Sequence, residues 1–534
     1  MRVDHVSDAV FLPVYDRLNP ACWRLSASEV NVSADTWKEE GNSHFNRKHY
    51  RQAIEFYSKG LEVSRTAVEG LLIRSNRALA YIRSEQFEDA LRDIETLLPH
   101  DNVSGTALAQ KVLMRKPRAL YHLRQFEKSC DAYKALATQC QENNGVKDEF
   151  NRAIARLAEQ RSGKYPIQKM QHEAVSSAQG MLDYATYVGP VAIQPTKFCG
   201  RGLFTTAPVK AGDLLFCEKA LVYNPNGNNN ELRILLAQKM YKNLSLHSEI
   251  AELDHGKYQS VDVSEVDGKP VVDSFLVENV LNKNAFACPR SSRDILRRNM
   301  SLGGNVSNKE QTRASGLWIL ASSISHSCTS NANRSFIGDM MIVRAAQDLA
   351  ANTEIRIYYQ SPMREAADGV PDEERDGVPL RANLKSLRID ELEIRTLIHS
   401  IETTYRQPIS EVPRVSVAYA YSILVLIQAL TCPPGKVIDN AAKTLKSLGY
   451  IVEVGPAAEP SLTIRRWGIV AENLVGFWWT LSVGYRQSAP GFSKQLEDYA
   501  RLTFKIIVGE NETFDAMLRQ IAEQNRALGF PGLH

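Results

Sequence analysis

From Thr36 to Leu136 apolar and small residues return with the spacing of paired helices. Trp37, Gly41, Tyr50, Ala53 and Tyr57 mark a first pair, and Ala78, Tyr81, Phe87 and Ala90 repeat the register in a second. A third pair keeps Phe126 and Tyr133 but has Pro117 and Ser129 at the small positions. The apolar stripe lapses over residues 159–188, which read as a connecting segment. Short strand-like stretches follow: two around Gly200-Arg201-Gly202-Leu203-Phe204, then a turn at Lys210–Asp213 leading into a strand over Leu214–Glu218. A largely helical insert occupies about 224–315. Gly316 then opens a helix-like apolar run that turns at Ser325-His326-Ser327-Cys328, and strands are predicted over Arg334–Phe336, Met340–Arg344 and up to Tyr358-Tyr359. Helical periodicity resumes over residues 381–534. The pattern predicts an α+β protein. Its parts are an N-terminal segment (1–35), helical repeats (36–158), a linker (159–188), a strand-rich domain (189–360) and a C-terminal helical domain (381–534).

The N-terminal pairs resemble tetratricopeptide repeats, in which small residues let two helices approach while aromatics fill the gaps between them. Three units are about the minimum for a stable stack. The resemblance implies a concave surface for a peptide or partner protein, or equally a packing module supporting the rest of the chain.

The strand-rich part resembles a SET domain. His326, Ser327, Cys328, Asn331, Glu354, Ile355 and Tyr359 fall on that family's Asn-His-Ser-Cys, Pro-Asn, Gly-Glu-Glu-Ile and terminal-tyrosine pattern. The Gly200-Arg201-Gly202-Leu203 turn matches its amino-terminal block. Asn284, Phe286, Cys288 and Pro289 resemble a segment of fungal proteins that combine the repeats with a SET domain, where the insert shapes a wall of the substrate channel. The resemblance implies S-adenosylmethionine lying against Gly200, Arg201, Gly202, Leu203, Ser325 and His326, with Tyr359 beside the transferring methyl.

The departures from that pattern bear on the chemistry. Ser325 stands in place of the family's asparagine and Ser330 in place of its proline. A hydroxyl cannot reproduce the contacts of an amide with two donors and an acceptor, a loss of about 1–3 kcal/mol in cofactor binding. The CxCxxC zinc cluster that relatives carry after the tyrosine is missing, and Cys432 is the only later cysteine, so no zinc is expected. Three functions remain. One is S-adenosylmethionine-dependent methylation of protein lysine. The second is a vacated SET scaffold serving fungal secondary metabolism as a cyclase, holding an apolar substrate for an intramolecular cycloaddition of the Diels-Alder type with a hydrogen bond from Tyr359, Tyr358 or His326. The third is a non-catalytic adaptor built on the repeats. The two losses together tip this reading narrowly toward the cyclase.

Composition narrows the setting. A net charge of +3 over 534 residues, with no dense Lys/Arg tract, calls for no nucleic acid. Eight scattered cysteines without a CxxC pair suggest free thiols in a reducing compartment. The first residues lack the basic-then-apolar pattern of a secretory signal, so a cytoplasmic or nuclear setting is expected. The apolar run Val415–Leu430 is too short to span a bilayer and reads as a buried helix. Trp467, Phe477, Trp478 and Trp479 read as core packing, with an aromatic-lined pocket as the alternative. Cys288 has no neighbouring cysteine and reads as a buried small side chain.

Overall fold

The computed structural model describes residues 32–97, 107–137, 144–196, 200–260, 265–266, 269–300, 314–359, 391–406, 413–431, 434–456 and 459–527. Most of the N-terminal segment, Cys199, Cys432 and residues 360–390 lie outside them. The chain divides into two compact units, residues 1–153 and 154–534.

The first unit is built from helices α1 (Ala34–Asn46), α2 (Tyr50–Val63), α3 (Ala67–Arg83), α4 (Phe87–Leu97), α5 (Ala107–His122) and α6 (Phe126–Ala137), together with the start of α7 (Asn144–Ser162). Each pair turns through one residue at positive φ, namely Lys48, Glu85 and Arg124. The same turn in all three pairs shows that the third unit keeps the repeat despite its altered small positions. There Ser129 Oγ donates to the Pro117 carbonyl at 2.8 Å, so the hydroxyl serves the close helix approach. In the first pair Gly41 provides the space: a Cβ on it would sit 2.5 Å from the Tyr57 ring. Tyr57 is 1% exposed and cannot swing aside, so Gly41→Ala is expected to destabilise this unit by about 1–3 kcal/mol, read as a lower thermal midpoint.

The second unit begins with the rest of α7 and α8 (Ile167–Ser176), then the strands β1 (Tyr187–Val188), β2 (Val191–Pro195), β3 (Arg201–Thr205), β4 (Leu214–Lys219) and β5 (Val222–Asn224). The insert supplies α9 (Asn229–Lys242), α10 (Leu246–Ala251), β6 (Glu265–Val266), β7 (Lys269–Pro270), α11 (Ser274–Asn284), β8 (Phe286–Cys288) and α12 (Ser292–Met300). The remaining strands of this region are β9 (Ala314–Leu317), β10 (Ser325–His326), β11 (Ala332–Ile337), β12 (Met340–Ala345) and β13 (Arg356–Ile357). They form an antiparallel sheet in the order β1-β4-β12-β11, a three-stranded sheet β5-β9-β8, the hairpin β2-β3 and the parallel pair β10-β13. Leu203, Phe216, Trp318, Phe336, Met341, Val343 and Ile355 fill the space between them.

Two expectations are corrected here. The apolar run after Gly316 is not helical: it is the end of β9, flanked by β5 and β8, followed by a 3-10 turn at Ala321–Ser323. Leu317 and Trp318 are fully buried, and a run covered on both faces carries no period to tell strand from helix. Arg201–Thr205 is itself a strand, so only Gly200 of that motif belongs to the turn.

Among the described residues of the C-terminal region six helices pack together, spanning Glu391–Glu402, Val415–Thr431, Pro434–Ser447, Asn473–Tyr485, Pro490–Val508 and Phe514–Ala527. The region also contains a hairpin, Ile451–Val454 with Leu462–Arg466, within residues 381–534, whose period reads as helical throughout. Val415–Thr431 is a buried helix, and among the described residues no helix is long and apolar enough to cross a membrane. Phe477 and Trp478 are 0% exposed in this helical core. Arg344 ties the region to the sheet, donating to the carbonyls of Gly509 at 2.8 Å and Gly212 at 3.0 Å.

Candidate functional site

The site forms where β10 and β13 run parallel, with Ser325 opposite Arg356 and His326 opposite Ile357. A pair of two-residue strands is too short to hold itself together, and Asn331 supplies what is missing. Its Nδ2 donates to the Glu354 carbonyl at 2.8 Å and its Oδ1 accepts the Arg356 N–H at 2.8 Å. Its own N–H and C=O bond Arg356 and Ala346. One side chain thus completes a ladder on both sides of Ile355.

Glu354 is fixed by that pin and faces Ser325, whose hydroxyl donates to Oε1 at 2.9 Å. Arg356 donates to Oε2 through Nε at 3.0 Å and Nη2 at 2.5 Å. Burial pushes the Glu354 carboxyl up, but the bonds from Arg356 and Ser325 outweigh it and hold the group below the usual carboxylate range. It is ionised at neutral pH. Gly202 lies against it: a Cβ there would meet Glu354 Oε1 at 3.3 Å and Thr196 Cγ2 at 2.7 Å, so a side chain would close the edge. The Ile355 N–H donates to the Leu203 carbonyl at 2.7 Å and locks β3 alongside.

Tyr359 stands next to this edge and is 49% exposed. Its hydroxyl donates to the Ile324 carbonyl at 2.7 Å, and its N–H donates to His326 Nδ1 at 3.0 Å. The accepting Nδ1 must carry a lone pair, which places the proton of the neutral imidazole on Nε2, 3.5 Å from Cys328 Sγ. The rings of Tyr359 and His326 are 5.2 Å apart, and Phe286 meets Tyr359 edge-on at 6.5 Å.

The residues predicted for the site therefore separate. Gly202, Ser325, His326 and Tyr359 come together. Gly200 shapes the turn at a φ of 75°, Leu203 is fully buried in the sheet core, and Arg201 reaches the other way, to Glu252 at 2.7 Å. Tyr358 points away from Tyr359, toward the C-terminal region. Its hydroxyl donates to Asn333 Oδ1 at 3.0 Å, and burial, with Glu472 adding to it, raises the phenol to about 12. Asn333 in turn donates to the Ile506 carbonyl at 2.9 Å, so Tyr358 fastens the site to the C-terminal helices. Sequence reasoning gave no role to Glu354, which it had matched only as part of a motif, nor to Arg356 and Arg334, which look like ordinary strand-surface cations. Cys288 is 1% exposed, and burial pushes its thiol up. Among the described residues no group of three or more His, Cys, Asp or Glu is placed to hold a metal ion.

A SET domain matches residues 200–360. A methyltransferase of Gibberella zeae is 30% identical over 585 residues, covering 97% of this chain and 78% of that protein. Human protein-lysine N-methyltransferase SMYD4 is 27% identical over 212 residues, which span 35% of this chain and 24% of SMYD4. Among solved structures, the Sgt2 TPR domain from Aspergillus fumigatus is 26% identical, covers 25% of this chain and 85% of its own, and superposes with a TM-score of 0.22. With the Gibberella relative matched along almost the whole chain and the SET motifs meeting at one edge, the chain belongs to the SET-domain methyltransferase-like proteins that carry tetratricopeptide repeats ahead of the SET domain.

Proposed function

We propose that the chain is an S-adenosylmethionine-dependent methyltransferase whose acceptor is a protein lysine. The observation that carries this reading is the convergence of Gly202, Ser325 and Glu354 on one side of Tyr359, whose hydroxyl is fixed at 2.7 Å from a main-chain carbonyl. The cofactor supplies an electrophilic methyl on a sulfonium, and its amino-acid end carries one ammonium and one carboxylate. Glu354 and Arg356, already paired side by side, offer the complementary charges, and Gly202 leaves the backbone bare beside them. The serine at 325 then has a physical sense: its short side chain leaves room for the Glu354 carboxylate and hydrogen-bonds to it, so contacts expected of an amide pass to Glu354. Tyr359 and His326 orient the incoming amine at the exposed edge. The cyclase reading gains nothing from the C-terminal aromatics, since Phe477 and Trp478 are spent on core packing.

Calorimetric titration of the full chain with S-adenosylmethionine tests the proposal, followed by mass spectrometry of a lysine-peptide pool for methylated products. Binding by the native chain, weakened about 10-fold in Glu354→Gln, is expected, since a charge-assisted hydrogen bond contributes about 1.5–3 kcal/mol. A folded chain that binds no cofactor would overturn the reading and restore the metabolite cyclase.

A second reading concerns the repeats, where one cluster favours an acidic peptide. Asn42 Oδ1 accepts the Tyr57 hydroxyl at 2.8 Å and the Asn76 amide at 3.2 Å, which turns the Asn42 NH2 outward from that pair. Arg115, 7% exposed, donates to the hydroxyl and carbonyl of Ser75 and meets no carboxylate among the described residues. Burial, with Arg118 adding to it, lowers its guanidinium to about 10. A carboxylate from a partner would relieve that uncompensated charge. Fluorescence polarisation with an acidic peptide bearing a free C-terminal carboxylate is expected to show binding that Arg115→Ala weakens at least about 10-fold. Equal binding of the amidated peptide would count against it.

A further inference from the structure

Arg334 stands on β11 among the aromatics behind the reacting edge. Its guanidinium lies 5.5 Å from the Phe286 ring and 6.0 Å from that of Tyr358. Nη1 donates to the Tyr358 carbonyl at 2.6 Å and Nη2 to the Tyr359 carbonyl at 2.8 Å. Among the described residues no carboxylate pairs with it. A half-buried cation spent on two neutral carbonyls is unusual, because neutral acceptors repay desolvation less well than a carboxylate does.

We infer that Arg334 is a positioning residue for Tyr359: the fork of its guanidinium clamps the two consecutive tyrosine carbonyls and thereby fixes the ring whose hydroxyl faces the acceptor. Among the bonds that hold Tyr359 are its N–H on His326, its hydroxyl on the Ile324 carbonyl and its C=O on Arg334. The first two hold the peptide N–H and the tip of the ring; the third sets the plane of the carbonyl that follows the ring, which neither of the others touches. A planar fork sets the direction of both carbonyls as well as their position, which a single rotating ammonium does not, and Phe286 lies within cation–π range of the guanidinium at 5.5 Å. The role rests on the methyl-transfer reading for its purpose, but the geometry it controls can be read without any methyl transfer.

The test places 3-fluorotyrosine at position 359 in the full chain and records its fluorine resonance. A single narrow line is expected for the otherwise native chain. Arg334→Lys keeps the charge but replaces the rigid fork with a single ammonium on a flexible stem, and is expected to broaden or split the line while the thermal midpoint and the titration with S-adenosylmethionine stay near native. Should Arg334→Lys fail to fold, Phe286→Leu removes the cation–π neighbour and leaves the guanidinium, and the same broadening is expected to a lesser degree. An unchanged narrow line in either folded variant would overturn the inference and leave the methyl-transfer proposal standing. A native chain that binds no cofactor, with a narrow line that Arg334→Lys broadens, would do the reverse.

Discussion

Tyr359→Phe is expected to lower the turnover of methyl transfer about 100-fold while leaving cofactor affinity and stability nearly unchanged. The ring stays where it is, because its backbone is held on both sides by bonds that the substitution does not touch, from Tyr359 N–H to His326 and from Arg334 to the Tyr359 carbonyl. The hydroxyl alone is lost. In the native chain its proton is committed to the Ile324 carbonyl at 2.7 Å, so the oxygen presents lone pairs from a fixed place and can accept a hydrogen bond from the acceptor amine. Removing one preorganised polar group that acts mainly in the transition state costs about 2–3 kcal/mol, which is the expected factor in rate. Since Tyr359 is half exposed, deleting one hydrogen bond there should change folding stability by no more than about 1 kcal/mol. Single-turnover rates with a methylated lysine product, set beside calorimetry, separate the two quantities. A loss of cofactor binding equal to the loss of rate would assign the tyrosine to the cofactor.

Asn331→Ala should act in the opposite way, through the fold. Asn331 is 9% exposed, and its amide satisfies the Glu354 carbonyl and the Arg356 N–H in one stroke. Alanine leaves both without partners beside buried Ile355, at about 1–3 kcal/mol each, so a total of roughly 2–6 kcal/mol is expected in urea unfolding of the second unit. Cofactor binding should fall with it, because Glu354 and Arg356 are the residues that Asn331 aligns. Asn331→Asp keeps the acceptor for Arg356 and loses only the donor, so an intermediate loss is expected. A variant as stable as the native chain would show that the parallel pair holds itself.

Much of this could be read along the chain. The repeats announced themselves because Trp37, Gly41, Ala53 and Tyr57 are constrained by one local event, two helices meeting, and their spacing records it. Gly41 shows why: the space it leaves is filled by Tyr57 from the next helix. The motif residues of the site were legible for a similar reason, since each needs a particular side chain at a fixed place near a turn.

The hairpin at Ile451–Val454 and Leu462–Arg466 escaped notice because it lies between strongly helical runs and its exposure alternates weakly. The strand at Ala314–Leu317 escaped for the opposite reason, being buried on both faces. Glu354 and Arg334 could not be assigned roles from the sequence, because a charged residue in a strand has no local signature of what it faces. Ser325 shows the same limit most plainly. Alone it reads as a lost amide and a failing cofactor site; beside Glu354, 29 positions later, it is half of a hydrogen-bonded pair.

The sequence by itself determined the order of the parts, the pairing of the repeat helices and the identity of the motif residues, all of which follow from side-chain period, size and backbone freedom over short spans. The tertiary structure alone decided which of those residues share an edge. That Tyr359 faces outward while Tyr358 points to Asn333, and that Glu354 meets Ser325, depends on strands far apart in the chain lying in parallel register. Such register is fixed by the side chains packed between the sheets and by the Asn331 pin, neither of which leaves a local period to read.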